Sequence, residues 1–238
     1  MNEPVILHIE TATNVCSVAI SRGNSLLALK ESEEDRSHSA LLTVFIDEIL
    51  KDSGMEPGQL DAVSVSKGPG SYTGLRIGVS ATKGIAYARN IPVIGIITLQ
   101  AMAIAASENK KVKKQMDTHP DLLLCPMIDA RRMEVYTALY DRKFREYRPV
   151  TAEIIDENSY KEILDKQPVL FFGNGAEKIT GIIKHQNAVF ESGIIPSSKW
   201  MIPLSLEAFE KQAFEDTAYF EPFYLKDFIA TTPKRKVI

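Results

Sequence analysis

The sequence predicts an α/β protein built in two parts, a first part around a mixed sheet and a second, smaller α/β unit. Three observations predict it. Over the first hundred residues, short apolar runs and amphipathic stretches follow the order β-β-β-α-β-α-β-α. The last strands are joined by helical crossovers, which a sheet with a parallel portion requires. A polar, lysine-rich stretch at 107–121 then breaks the pattern, and apolar and helical stretches resume beyond it in a shorter series.

Each element has a local reason. "VILHIE" (5–10) is a short apolar run closed by an acid, as in a strand buried within a sheet. "VCSVAIS" (15–21) and "LLALKE" (26–31) flank "RGNS", where Gly23 and Asn24 supply a hairpin turn. Polar "SEEDRS" leads into a helix over 38–51, capped by Asp35 or Ser37 and ended by Gly54, Pro57 and Gly58. "LDAVSVS" (60–66) is a strand, "KGPGSYTG" a loop, 75–89 a helix, "IPVIGII" (91–97) another buried strand, and 98–107 a helix. The lysines of 107–121 read as a solvated linker. After it come strands at "LLLCPMIDA" and "EVYTALY", a strand and turn at "VLFFGNGA", and helices over 175–186 and 204–215.

Composition excludes several classes. With 28 basic and 31 acidic residues the net charge is −3, so no global field draws nucleic acid and any RNA contact must be local or made by a partner. Cys16 and Cys125 share no CxxC spacing and read as buried thiols of a reducing compartment. The start "MNEPVILHIE" lacks the basic and long apolar regions of a signal peptide, and no apolar run reaches the ~18–20 residues of a membrane span. A cytoplasmic protein is expected.

The glycine loop raises the first functional question. Gly68, Gly70 and Gly74 permit unusual backbone angles, and the following helix offers free N–H groups to an anion. The spacing, however, is GxGxxxG, one residue longer than the dinucleotide fingerprint, with no GK[ST] and with Pro69 removing one donor. A tight strand-to-helix turn made for packing accounts for it slightly better. "HIETATNVCSVAIS" carries an acid, Glu10, at a strand end followed by Thr11 and a hairpin. This resembles the first phosphate loop of the superfold shared by actin, sugar kinases and heat-shock ATPases. The four histidines form no HxxxH or HExxH pair, and no GxSxG elbow is present.

Helix 38–51 points to a partner. Leu41, Leu42, Phe45, Ile46, Ile49 and Leu50 cover roughly half its circumference, wider than the stripe of ~100° that faces a single core, while Ser39, Thr43, Asp47 and Lys51 lie opposite. In helix 75–89, Gly74, Gly78, Ala81, Gly84 and Ala88 cluster on one side, so another backbone can approach it. The two helices together make a candidate protein–protein face.

"ILHIETATNVCSVAI", "HSALLTVFIDEIL", "KGPGSYTGLRIGVSATKGIAYA", "MIDARRMEVYTALY" and "EPFYLK" occur in this order across nearly the whole chain. The series resembles the TsaB family, also called YeaZ. The resemblance implies an actin-like, chaperone-ATPase-like (ribonuclease H-like) fold of two subdomains, 1–106 and 107–238, each with a mixed sheet and flanking helices. It also implies a non-catalytic scaffold for making threonylcarbamoyladenosine beside the tRNA anticodon. The implied partners are a TsaD-like catalytic subunit, a TsaE-like ATPase engaged through that pair, and a second copy when the chain is alone. Contact with tRNA is expected to be indirect, and no membrane is involved.

The resemblance sharpens the residue expectations. TsaD-like proteins carry an HxxxH metal pair where "IPVIGIITLQAM" places Thr98 and Met102, so no metal site is expected here. No cofactor is expected, although weak nucleotide binding at or near the TsaD interface stays open through Glu10, Thr11, Gly68, Gly70 and Ser71. The partner face comprises His38, Leu41, Leu42, Phe45, Ile46 and Ile49. Arg131 and Arg132 of "DARR" are expected to pair with nearby acids rather than with RNA. The competing readings are a degenerate ATPase or metallo-glycopeptidase-like enzyme of the same superfold. A small-molecule kinase lacks a catalytic acid in the second subdomain.

Overall fold

Residues 3–33 and 38–226 are described by the structure, a computed structural model, in two five-stranded sheets of matching connectivity. The first is built from β1 (Val5–Glu10), β2 (Cys16–Arg22), β3 (Ser25–Ser32), β4 (Ala62–Gly68) and β5 (Val93–Ile97), in the order β3-β2-β1-β4-β5. Helices α1 (His38–Ser53) and α2 (Tyr72–Arg89) lie between its strands in sequence, and α3 (Thr98–Glu108) and α4 (Lys110–Thr118) follow. The second sheet uses β6 (Leu123–Asp129), β7 (Glu134–Tyr140), β8 (Glu146–Ile154), β9 (Val169–Phe172) and β10 (Ala188–Glu191). Short α5 (Lys161–Leu164) and α6 (Asn174–Glu177) flank its later strands, and α7 (Ile202–Glu210) comes last.

In each sheet three consecutive strands pair antiparallel and two more add in parallel beside the first of them. The second sheet, β8-β7-β6-β9-β10, therefore repeats the topology of the first although no repeat is visible in the residues. The expected mixed sheets are both present. β1 and the hairpin fall where the apolar runs placed them, with Gly23 at φ +53° in the turn. Asp35 and Ser37, the expected caps of α1, lie outside the described residues.

Two expectations are corrected. The stretch 107–121 is not a linker, because most of it is α4. Asn109 caps that helix through its side-chain oxygen, which accepts from Lys111 N at 2.9 Å, and Val112 and Met116 are buried one turn apart while the lysines cover the outer side. The expected helix 175–186 is only the single turn of α6, since the β-branched run Ile179, Thr180, Ile182 and Ile183 with Gly181 disfavours continuation.

The division at 106/107 also needs correction. Leu99, Met102, Ala103 and Ala106 of α3 pack on the second sheet's core with Leu124, Ala138 and Phe172. The chain after β10 returns to the first sheet. Met201 packs with Ile6, Ala62 and Ile94, and Phe220 enters the same core as Leu42 and Val79. A seam of hydroxyls fastens this return: Ser17 to Ser198 and Ser64 to Ser205, both at 2.7 Å. Neither sheet is thus completed by a continuous half of the chain.

Candidate functional site

Ser71 caps α2, its Oγ accepting from Gly74 N at 3.3 Å, so the helix starts at Tyr72 rather than at Leu75 and Gly74 lies inside it. The glycines lie against the strand-end loop after β1. A methyl group added at Gly70 would overlap the Ala12 carbonyl oxygen, at Gly74 the Thr11 carbonyl oxygen, and at Gly78 the Thr11 hydroxyl. The backbones meet through Ser71 N donating to Ala12 O at 2.6 Å and Thr11 Oγ1 donating to Gly74 O at 2.8 Å. The motif is therefore a packing joint. Glu10 and Thr11 are wholly buried, which corrects them as phosphate contacts, and Gly68 is packed under the Phe223 carbonyl. Gly70 and Ser71 alone of the five line open space.

Glu10 and His8 project from one face of β1 into the interior. Glu10 Oε1 accepts from Ala12 N at 2.6 Å, and His8 Nε2 shares a hydrogen bond with Ser21 Oγ at 2.8 Å. Glu10 Oε2 and His8 Nδ1 have no partner among the described residues. Burial pushes the Glu10 carboxyl from 4.5 up to about 7 and the His8 imidazole from 6.5 down to about 3. Glu10 destabilises the fold increasingly as pH rises from 4.5 to about 7; His8 does so as pH falls from 6.5 toward 3. Between pH 4.5 and 6.5 the unfolded chain holds its proton on His8 and the folded chain on Glu10, so the two effects cancel. Glu10→Gln removes the cancellation. Relative to the parent, its unfolding free energy is expected to gain about 2–3 kcal/mol between pH 4.5 and 6.5. Denaturant melts at the two pH values check this, and parallel profiles would contradict a buried neutral carboxyl.

A cleft of about 760 Å³ separates the two sheets. Its walls are the 12–14 loop, the start of α2, the β6–β7 turn and the segment 223–226. That last segment is a strap that sequence reasoning knew only by resemblance. Lys83 Nζ donates to the Ala218 and Phe220 carbonyls at 3.0 and 3.1 Å, Phe223 N donates to Lys67 O at 2.7 Å, and Tyr224 lies 5.0 Å from Tyr72 between ring centroids. Lys226 reaches the second sheet, where it pairs with Glu134 over the Tyr136 ring.

The β6–β7 turn holds Arg131 at φ +68° and Arg132 at φ +52°, a left-handed pair that costs non-glycine residues about 1 kcal/mol or more each. Lys178 braces it with Nζ at 2.5 Å from Asp129 Oδ1, 2.8 Å from Arg132 O and 2.6 Å from Glu134 O. Burial would raise the Asp129 carboxyl, but Lys178 and the Arg131 N–H hold it below its ordinary value. Among the described residues neither Arg131 nor Arg132 forms the expected ion pair with a nearby acid, although the charge of Arg131 helps lower the Asp129 carboxyl: Asp129 is held by Lys178 and Glu134 by Lys226.

Thr98 and Met102 open α3, both at most 1% exposed. Met102 Cε lies 2.7 Å from where a Cβ would stand on Gly173. A hydroxyl and a thioether thus stand at the two positions where the resemblance set the TsaD-like histidine pair, and among the described residues no three His, Cys, Asp or Glu side chains converge.

The helix face divides the sequence-predicted interface residues. Leu42 and Ile49 are at 1% and 0% exposure and belong to the first sheet's core, which corrects them as partner contacts. Two of the six residues of the wide apolar band are thus the inner side of α1. Leu41, Phe45 and Ile46 are half-buried at its border, and His38 is half-buried with Nε2 2.6 Å from Thr13 O. Ala40 and Val44 face outward on α1; on α2, Ser80, Gly84, Tyr87 and Ala88 do so, and nothing lies within 4 Å of a Cβ on Gly84. No described helix is long and apolar enough to cross a membrane.

A family model described as "TsaD: tRNA N6-adenosine threonylcarbamoyltransferase" matches residues 30–233. The Bacillus subtilis tRNA threonylcarbamoyladenosine biosynthesis protein TsaB is 33% identical over 175 residues, covering 71% of this chain and 70% of that protein. The chain belongs to the TsaB family. The Haemophilus influenzae TsaB protein is similar over nearly full lengths, 27% identical over 237 residues and 95% of each chain. Among solved structures, a Pseudomonas aeruginosa protein described as uncharacterized with similarity to peptidase YEAZ superposes with a TM-score of 0.81 at 20% identity, over 94% of this chain and 100% of that one. The twice-repeated sheet is thus the actin-like fold that the TsaB resemblance implied.

Proposed function

We propose that the chain serves tRNA threonylcarbamoyladenosine biosynthesis as a non-catalytic scaffold, pairing with a TsaD-like catalytic subunit and through it with a TsaE-like ATPase, and with a second copy of itself when alone. The carrying observation is that each helix turns small and apolar residues outward, Ala40 and Val44 (47% exposed) on α1 and Gly84, Tyr87 (86% exposed) and Ala88 on α2. Small residues there let another helix approach closely, while the two larger side chains supply apolar area. Two helices from each partner can bury the ~1,600 Å² of an ordinary interface. The packed state of the glycine joint and of Thr98 and Met102 agrees with a subunit that lends shape rather than reacting groups.

Gly84→Arg and Val44→Glu test the pairing without disturbing the core, because both positions are open to solvent. Each variant is expected to melt like the parent yet fail to co-elute with the TsaD-like subunit on size exclusion, a loss of at least tenfold in affinity. Unchanged co-elution would overturn the assignment of this face. ATP turnover by the isolated chain would favour the enzyme reading instead.

A further inference from the structure

We infer that the β6–β7 turn is a direct RNA contact, with Arg131 and Arg132 gripping backbone phosphates of a strand whose unpaired bases stack on the aromatic residues of the adjacent cleft. The charge balance of the turn carries this. Asp129 and Glu134, the two acids bracketing the arginines, are each neutralised by a lysine from a distant part of the chain, Lys178 and Lys226. These six groups leave two uncompensated positive charges on a protein whose net charge is negative. Both arginines are exposed residues, and among the described residues neither forms an ion pair with an acid, Arg131 acting on Asp129 only through its charge and behind Lys178. Asn-Gly is the natural occupant of a turn needing two left-handed residues. Among the described residues neither arginine side chain makes a hydrogen bond or ion pair that would offset its backbone cost.

The setting selects RNA over an acidic protein. Arg131 lines the same cleft as Phe223 and Tyr224, 37% and 38% exposed, with Tyr224 held against Tyr72. A guanidinium fork binds phosphate in a bidentate manner, and aromatic faces beside it take unstacked bases of single-stranded loops. The Lys178 brace keeps the turn stiff, so the two forks are presented rather than trailing in solvent.

This inference goes beyond the scaffold reading and uses a different surface. The test is fluorescence anisotropy with a labelled anticodon stem–loop RNA of about 17 nucleotides at about 50 and 200 mM salt. It uses the full chain, alone and with the TsaD-like subunit. Arg131→Asn/Arg132→Asn removes both charges with a residue that tolerates the left-handed conformation. The double variant is expected to bind at least tenfold more weakly at low salt. Its log–log salt slope should be shallower by about 1.5, two contacts at 0.7–0.9 each. Its melting temperature should be no lower than the parent's. Unchanged affinity and slope, or no RNA binding by the parent in either form, would overturn the inference. So would lost co-elution with the TsaD-like subunit at unchanged RNA binding, which assigns the arginines to an acidic protein surface. Failure of the parent to pair is read on the column and leaves the titration of the isolated chain decisive.

Discussion

Leu42→Glu is expected to prevent folding rather than to dissociate a complex. Leu42 is 1% exposed in the cluster that joins α1 to β1, β2 and β4, with Ile9, Val18 and Val65. Truncating such a side chain costs about 2–5 kcal/mol, and an unpaired buried carboxylate adds several more. A stability of about 5–15 kcal/mol does not survive that sum comfortably. The variant should accumulate as insoluble chain, and any soluble fraction should lack a cooperative thermal transition. Val44→Glu, two residues along the same helix but outward, should melt normally. A soluble Leu42→Glu protein with the parent's melting profile would show that α1 is rotated from its position here.

Gly74→Ala should be nearly as severe although it adds a single methyl group. The methyl would overlap the Thr11 carbonyl oxygen, which is backbone and cannot swing aside, so α2 must retreat from β1. Retreat breaks the Thr11 hydroxyl bond to Gly74 O and strains the Ser71–Ala12 bond. Overpacking at about 1–3 kcal/mol and a lost buried hydrogen bond at about 1–3 kcal/mol predict a loss of about 3 kcal/mol or more. Denaturant titration measures it directly. The substitution at Gly84, on the same helix, should be neutral or slightly stabilising, since alanine is the better helix former and no atom stands in its way. Equal costs at the two positions would contradict the packing joint.

The elements with strong periodicity were legible in the residues, and the long-range contacts were not. β1, the hairpin, α2 and β5 followed from apolar runs and turn residues, because local chemistry determines them. α4 was hidden because its inner side is only Val112 and Met116 among seven polar and charged residues that dominate the composition of 110–118. The breadth of the apolar band on α1 pointed to two sides to be covered, and the structure shows the one that packs on the sheet. Periodicity could not tell that Leu42 and Ile49 face the sheet while Val44, outside the band, faces out. The partners of Arg131 and Arg132 were misjudged for a related reason: the nearest acids in sequence are held by Lys178 and Lys226, 46 and 94 positions from Arg132. The Lys83 anchor of the strap and the hydroxyl seam join residues 135 to 181 positions apart, and nothing in either stretch announces the other.

Synthesis on the ribosome runs from the first residue onward, and that direction gives the late position of Phe220 a temporal meaning. The hydrophobic interior around α1 and β2 stays open on one flank until Phe220, about 150 residues after β4, has been made. The early-made half must wait, partly assembled and with apolar surface still wet, for the closing piece to emerge. Nascent molecules halted before that point should be the ones that chaperones hold.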